Sequence, residues 1–178
     1  MFACDGHYDT IPDIMIMAKG LASGYPISAI VSRTELTAKQ PGGSMGGTYT
    51  ANAVACVAAT ATQQVIQEEG LVSNSQVRGK QLMDGLRQLQ QSGKYPIRDV
   101  RGLGLMVGLE FDKTVPYGTA NAVTKACLDH GMLLLTTSVF ETVRFIPSLN
   151  VNAEEIGLGL DIFKKALDQV FATGKSQN

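Results

Sequence analysis

The stretch Pro12-Asp-Ile-Met-Ile-Met-Ala-Lys19-Gly-Leu-Ala-Ser-Gly24-Tyr-Pro26 sets an apolar run against a lysine and a glycine-punctuated turn. A continuous apolar run of this length reads as a buried strand, of the kind covered on both faces. Residues 27–32 have the same character, so the two runs read as strands joined by the Gly/Pro turn. A lysine at the exit of such a strand is expected near the protein interior. An ammonium is costly to desolvate there, so it finds a counter-charge or sheds its proton. A neutral amine in a pocket is a nucleophile, and Schiff-base chemistry with an aldehyde needs one. Taken alone, the residue also fits the ordinary reading of a solvated charge at a strand end.

Outward from this stretch, residues 34–47 read as a loop with a Pro-Gly-Gly pivot. Residues 51–69 are helical in pattern, with alanines at 51, 53, 55, 58, 59 and 61, and Gly70 is placed to cap the C-terminus. Residues 71–91 form a longer amphipathic pattern. Leu82, Leu86 and Leu89 lie on one face, against Arg78, Lys80, Asp84 and Arg87. After the break at Ser92-Gly-Lys-Tyr-Pro96, residues 98–111 alternate as one half-buried strand. The glycines at 102, 104 and 108 suggest a bulge or close backbone contact there. A helix over 119–130 stopped by Gly131, and short strands at 132–136 and 142–146, follow. Asn152 and Glu155 make a capping box for a last helix whose apolar face is Ile156, Leu160, Phe163, Leu167 and Val170. This alternation predicts α/β architecture, with residues 1–70, a bridging helix at 71–95, and a second domain at 96–178.

A chain of 178 residues with 44% hydrophobic content can bury a core in one domain or two small ones. The net charge of −1 supplies no basic field for nucleic acid or an anionic membrane. No apolar stretch approaches membrane-spanning length, and residues 1–7 lack the basic flank and apolar core of a signal peptide. Cys4, Cys56 and Cys127 form no CxxC or Cys/His cluster for a metal. Their odd number argues against a disulfide framework, so free thiols in a reducing cytoplasm are expected.

Two more residues invite chemistry. Thr48 brings a hydroxyl and a backbone N–H just before the helix expected to open near Ala51, with Gly46 and Gly47 allowing close backbone approach. That arrangement suits a phosphate, and equally suits a simple helix cap. Arg144 lies inside the apolar strand Val143-Arg-Phe-Ile-Pro147 and needs a partner. A carboxylate matches its fork, either an internal Asp or Glu or one from a ligand. His7 and His130 read as structural or solvated, and Glu68, Glu69 and Asp112 have no spaced partner for paired-carboxylate catalysis. Arg101-Gly-Leu-Gly104 is an incomplete nucleotide fingerprint inside a strand pattern.

Residues 12–33 resemble the cofactor-lysine segment of class III pyridoxal-phosphate aminotransferases, the family of the 4-aminobutyrate, ornithine and acetylornithine aminotransferases. Gly46-Gly-Thr48-Tyr-Thr-Ala-Asn52-Ala-Val-Ala is similar to the family's phosphate-contacting threonine segment. Val143-Arg144-Phe-Ile-Pro147-Ser-Leu-Asn-Val is similar to its substrate-carboxylate arginine segment. The three occur in the family's order over nearly the whole chain. The resemblance implies a fold-type I transferase, here the C-terminal part of the large domain followed by a small α+β domain. It implies pyridoxal 5'-phosphate held as a Schiff base on Lys19, which would also shuttle the substrate's proton. Thr48 would reach the phosphate of a neighbouring subunit, so a homodimer with shared active sites is expected. Arg144 would clamp the carboxylate of glutamate or 2-oxoglutarate, and the amino donor would be an ω-amino compound such as 4-aminobutyrate.

Two departures from the family pattern stand close to these residues. Thr50-Ala51 replaces the usual Gly-Gly, and Ser148 replaces the second proline. The family's aspartate facing the pyridine nitrogen, its ring-stacking aromatic and a glycine-rich phosphate segment all precede the region matched by Phe2. The chain therefore reads as a C-terminal portion with little activity alone. Its compartment is expected to be the cytoplasm, or the mitochondrion for a eukaryotic enzyme. A non-catalytic truncated homologue serving folding or association is the competing reading, and a carboxylate-binding regulatory module a weaker third.

Overall fold

The computed structural model describes residues 11–137 and 139–173, so Cys4 and His7 lie outside the described residues. The chain divides into two compact units, 1–71 and 72–178.

In the first unit, β1 (Ile14–Met17) pairs antiparallel with β2 (Ala29–Ser32), Ile14 opposite Ser32 and Met17 opposite Ala29. A 3-10 turn at Lys19–Ala22 leads away from β1, and Gly24 at φ +107° helps reverse the chain. A single-turn helix α1 (Thr34–Thr37) occupies part of the expected loop. The helix α2 (Ala53–Glu68) follows, and Gly70 at φ +62° ends it as anticipated. The 3-10 turn packs on α2, and the small residues Ala22 and Ala55 are buried at 1% and 2% exposure.

The apolar run of β1 is a strand but not a buried one: Ile14 is 53% exposed and Ile16 74%. A two-stranded ribbon has two faces: Met15 and Met17 on one are half-buried, while Ile14 and Ile16 on the other stay exposed. The inference from apolar composition to burial therefore fails here, while the inference to strand holds.

The second unit is an antiparallel sheet in the order β3 (Ile97–Leu103), β4 (Met106–Phe111), β6 (Thr142–Phe145), β5 (Leu135–Thr136). The helices α3 (Leu71–Gln91), α4 (Thr119–Asp129) and α5 (Ala153–Thr173) share its core. Leu82 and Leu86 of α3 pack with Val107, Leu109, Val143 and Phe145 of the sheet, and with Val123, Phe163 and Leu167. Phe145 meets Phe163 edge-on at 5.1 Å between centroids. The single strand expected over 98–111 is instead a hairpin. Gly104 at φ +54° turns the chain, and β3 folds back on β4 with Arg101 opposite Gly108. The close contacts suggested by its glycines are present. A Cβ on Gly79 of α3 would lie 2.1 Å from the Gly104 carbonyl oxygen, so helix and turn touch backbone to backbone. The Leu105 N–H donates to Ser75 Oγ at 3.2 Å beside this contact.

The capping box of α5 forms as read: the Glu155 N–H donates to Asn152 Oδ1, and the Asn152 N–H to Glu155 Oε2, both at 2.9 Å. Asp168 gathers the Lys94 ammonium, the Tyr95 hydroxyl at 2.6 Å and the Lys164 ammonium at 3.1 Å. The bond from Lys94, then that from Tyr95, holds its carboxyl well below the usual range. Burial pushes the Cys127 thiol up to about 11, so it is an inert thiol at neutral pH.

Three outcomes follow for stability. Gly79→Ala forces helix and hairpin apart and costs about 3 kcal/mol. Gly157→Ala in α5 meets nothing within 4 Å and gains about 0.5–1 kcal/mol of helix propensity. Urea midpoints at unchanged slope distinguish them. For Asp168, the depressed folded pKa means its contribution is present above the unfolded value, about 4, and is lost as pH falls below it. Asp168→Asn thus lowers the melting temperature at pH 7, and its difference from wild type closes below about pH 4.

Candidate functional site

Lys19 opens the 3-10 turn with its backbone at φ +54°, a region that costs an L residue of order 1 kcal/mol or more. Its side chain is exposed rather than held near an interior. No carboxylate among the described residues pairs with its amine. Ser23 and Ala51 are the other non-glycine residues with positive φ among those described. All three strained positions therefore fall in the segments singled out by sequence, Lys19 and Ser23 in one and Ala51 in the other.

Thr48 is exposed in the turns that precede α2, where the Thr50 N–H donates to the Gly47 carbonyl at 3.0 Å and the Asn52 N–H to Tyr49 at 3.3 Å. It does not cap the helix. That role belongs to Asn52, whose Oδ1 accepts from the Ala55 N–H at 3.1 Å, so the helix begins two residues later than expected. The Thr48 hydroxyl has no hydrogen bond to another described residue. Lys19 and Thr48 thus belong to the same unit, one in the turn packed on α2 and the other in the loop that leads into it.

Arg144 belongs to the second unit. It sits on β6 between Gly108 of β4 and Leu135 of β5. Val143 and Phe145 point into the core, so Arg144 lies exposed on the opposite face. Its neighbours in charge on that sheet are neutralised. Arg101 binds Asp99 at 2.7 Å and Glu110 at 2.8 Å, and Arg98 binds Glu110 at 2.9 Å. Arg144 has no such partner among the described residues, so the internal acid weighed from sequence is not found there. Arg144, Met132, Leu134, Ile146 and Gly159 border a cavity of about 300 Å³ in this unit.

His130, expected to be structural or solvated, is exposed at the C-cap of α4, and its Nε2 lies 3.2 Å from Gln169 Oε1. Among the described residues no group of His, Cys, Asp or Glu could hold a metal, and no helix is long and apolar enough to cross a membrane. Sequence reasoning passed over Glu141. Its carboxylate accepts the N–H groups of Gly118 at 2.7 Å and Ala120 at 2.6 Å, at the start of α4. The available signal was indirect: Gly118 stands at the N-cap, without a capping side chain of its own.

Residues 1–167 match the family model described as Aminotransferase class-III. The chain is 40% identical over 163 residues to the acetylornithine aminotransferase of a Nostoc species, covering 90% of this chain and 37% of that protein. It is 35% identical over 175 residues to the 4-aminobutyrate aminotransferase of Mycobacterium leprae, covering 94% and 38%. An ornithine aminotransferase structure from Toxoplasma gondii, crystallised with oxidised glutathione and showing partial occupancy of PLP at its active site, superposes with a TM-score of 0.85. It is 30% identical and covers 97% of this chain and 40% of that one. The chain spans about two fifths of the length of the curated relatives it matches.

The strain at Ala51 is testable. Ala51→Gly relieves the left-handed conformation at the cost of a more flexible unfolded chain, for a net gain of about 0.5–1 kcal/mol. Ala51→Val, β-branched at the same φ, moves the urea midpoint the other way.

Proposed function

The chain belongs to the class-III aminotransferase family, and from that premise we propose that it supplies three functional segments of such an enzyme. These are the cofactor lysine, the phosphate contact and the carboxylate clamp. The enzyme moves an amino group from an ω-amino compound to a 2-oxo acid such as 2-oxoglutarate. The observation that carries the reading is Lys19: an exposed amine without an acid partner among the described residues, on a strained turn. An amine of this kind suits an aldehyde, and the exposed hydroxyl of Thr48 with the adjacent Gly46-Gly47 backbone suits a phosphate, so between two copies of the chain the residue types fit an aldehyde bearing a phosphate. The PLP named for the Toxoplasma structure is a group of that kind.

When bound, pyridoxal 5'-phosphate supplies an electron sink for charge developing on the substrate carbon. Lys19 would hold the cofactor through its Nζ, and its amine, when free, would move the proton at the amino-bearing carbon of the substrate. Thr48 would donate its hydroxyl and backbone N–H to the phosphate, from the neighbouring subunit of a homodimer. Arg144 binds the substrate carboxylate through its fork and sets the distance from that carboxylate to the reacting amine. The names of the relatives point to 4-aminobutyrate or acetylornithine as donors. Both carry the reacting amine at the end of the molecule remote from a carboxylate.

One observation favours a second reading, a non-catalytic homologue that serves folding or association. The apolar side chains of β1, β2 and α2 are exposed, Ile16 at 74% and Val57 at 69%. On either reading the chain alone turns over slowly or not at all. Borohydride trapping of added PLP, followed by peptide mapping, tests the first reading without requiring turnover. The expected result is reduced cofactor on the peptide bearing Lys19, lost in Lys19→Ala. Even labelling of several lysines, unchanged in that variant, rules the assignment out.

A further inference from the structure

We propose that Glu141 is a positioning residue for Arg144, fixing the start of β6 so that the guanidinium is presented in one orientation to a carboxylate. The proposal rests on Arg144 being the carboxylate clamp.

β6 is only four residues long, and on its outer side it pairs with a strand of two residues, Leu135 with Arg144 and Thr136 with Val143. So short a ladder leaves the pose of β6 dependent on how its ends are tied. At its start, Glu141 joins three elements. Its backbone carbonyl accepts the Phe111 N–H at 2.8 Å, at the end of β4. Its two carboxylate oxygens accept the Gly118 and Ala120 N–H groups, one each, at 2.7 and 2.6 Å. Those N–H groups open α4, where the helix dipole favours an anion and no local side chain competes for them.

The neighbouring residue cannot take over this hold. Thr142 is 3% exposed, and its hydroxyl has no hydrogen-bond partner among the described residues. At the far end, Asn74 Nδ2 donates to the carbonyls of Leu149 at 2.7 Å and Val151 at 2.9 Å, holding the segment that leaves the strand. Arg144 lies three residues from the Glu141 tie, a span of roughly 10 Å along the strand. A lost bond at Glu141 is therefore expected to let the strand end shift and the guanidinium sample several directions. Loss of orientation at a carboxylate clamp weakens binding steeply.

Glu141→Gln keeps the volume but turns one acceptor into a donor facing an N–H, so one of the two bonds is lost. The test uses the full chain and 2-oxoglutarate, followed by the Nε–Hε resonance of Arg144, assigned by its loss in Arg144→Lys. In wild type this resonance shifts saturably. In Glu141→Gln the half-saturating concentration rises about tenfold. Tyr95→Phe loses its bond to Asp168, next to the edge strand β3, and serves as the stability control; it titrates like wild type. If Glu141→Gln proves unfolded by its melting curve, Glu141→Asp, too short to span both N–H groups, takes its place with the same expectation. Equal titration of wild type and the Glu141 variant overturns the proposal, as does equal weakening in Tyr95→Phe. An Arg144 resonance that ignores 2-oxoglutarate in wild type is a separate result. It removes the carboxylate reading itself, and this proposal with it.

Discussion

In β6, Val143 and Phe145 face the core on either side of Arg144, and pairing with β4 sets which residues fall on which side. Val107 stands opposite Phe145 and Leu109 opposite Val143, and all four side chains are buried in the same core. The pleat then leaves Arg144 no choice but the other face, beside Gly108, which offers no side chain. A one-residue slip would bury the guanidinium and expose Phe145, an exchange costing several kcal/mol in desolvation and lost apolar burial. The functional reading of the second unit depends on this register.

The same sheet shows why Arg144 differs from the other arginines near it. Arg98 and Arg101 share Glu110, and Arg101 also holds Asp99, so their charges are spent within the protein. Such exposed pairs add little stability. Their consequence is chemical: an external carboxylate competes with internal acids at Arg101 and with none of the described residues at Arg144. In the first unit the corresponding feature is backbone strain. Lys19 and Ala51 both hold left-handed conformations that an L residue resists, and they bracket the segments offering an amine and a hydroxyl.

Much of this was legible in the sequence where the signal is local. The i, i+4, i+7 leucines of α3, the Asn152–Glu155 capping box and the Gly70 and Gly131 stops all depend on neighbours within a turn or two, and they appear as read. The hairpin at Gly104 was missed although a trace of it was present. The apolar positions step by three between Val100 and Leu103, which breaks the period of two and marks the place where the chain turns. The exposure of β1 was not legible, because a strand's cover comes from elements distant in sequence. Glu141 acts across more than twenty residues on the N–H groups of α4, a partnership that no local pattern announces. Lys19, Thr48 and Arg144 were found by resemblance. Composition alone would have left each with an ordinary structural alternative.

The central claim is that the unneutralised arginine on β6, and not its paired neighbours, binds the carboxylate of the substrate. Calorimetric titration of 2-oxoglutarate into wild type, Arg144→Gln and Arg101→Gln tests it most directly. The account predicts that Arg144→Gln abolishes measurable binding while Arg101→Gln binds within about twofold of wild type. Binding retained by Arg144→Gln and lost by Arg101→Gln would contradict it.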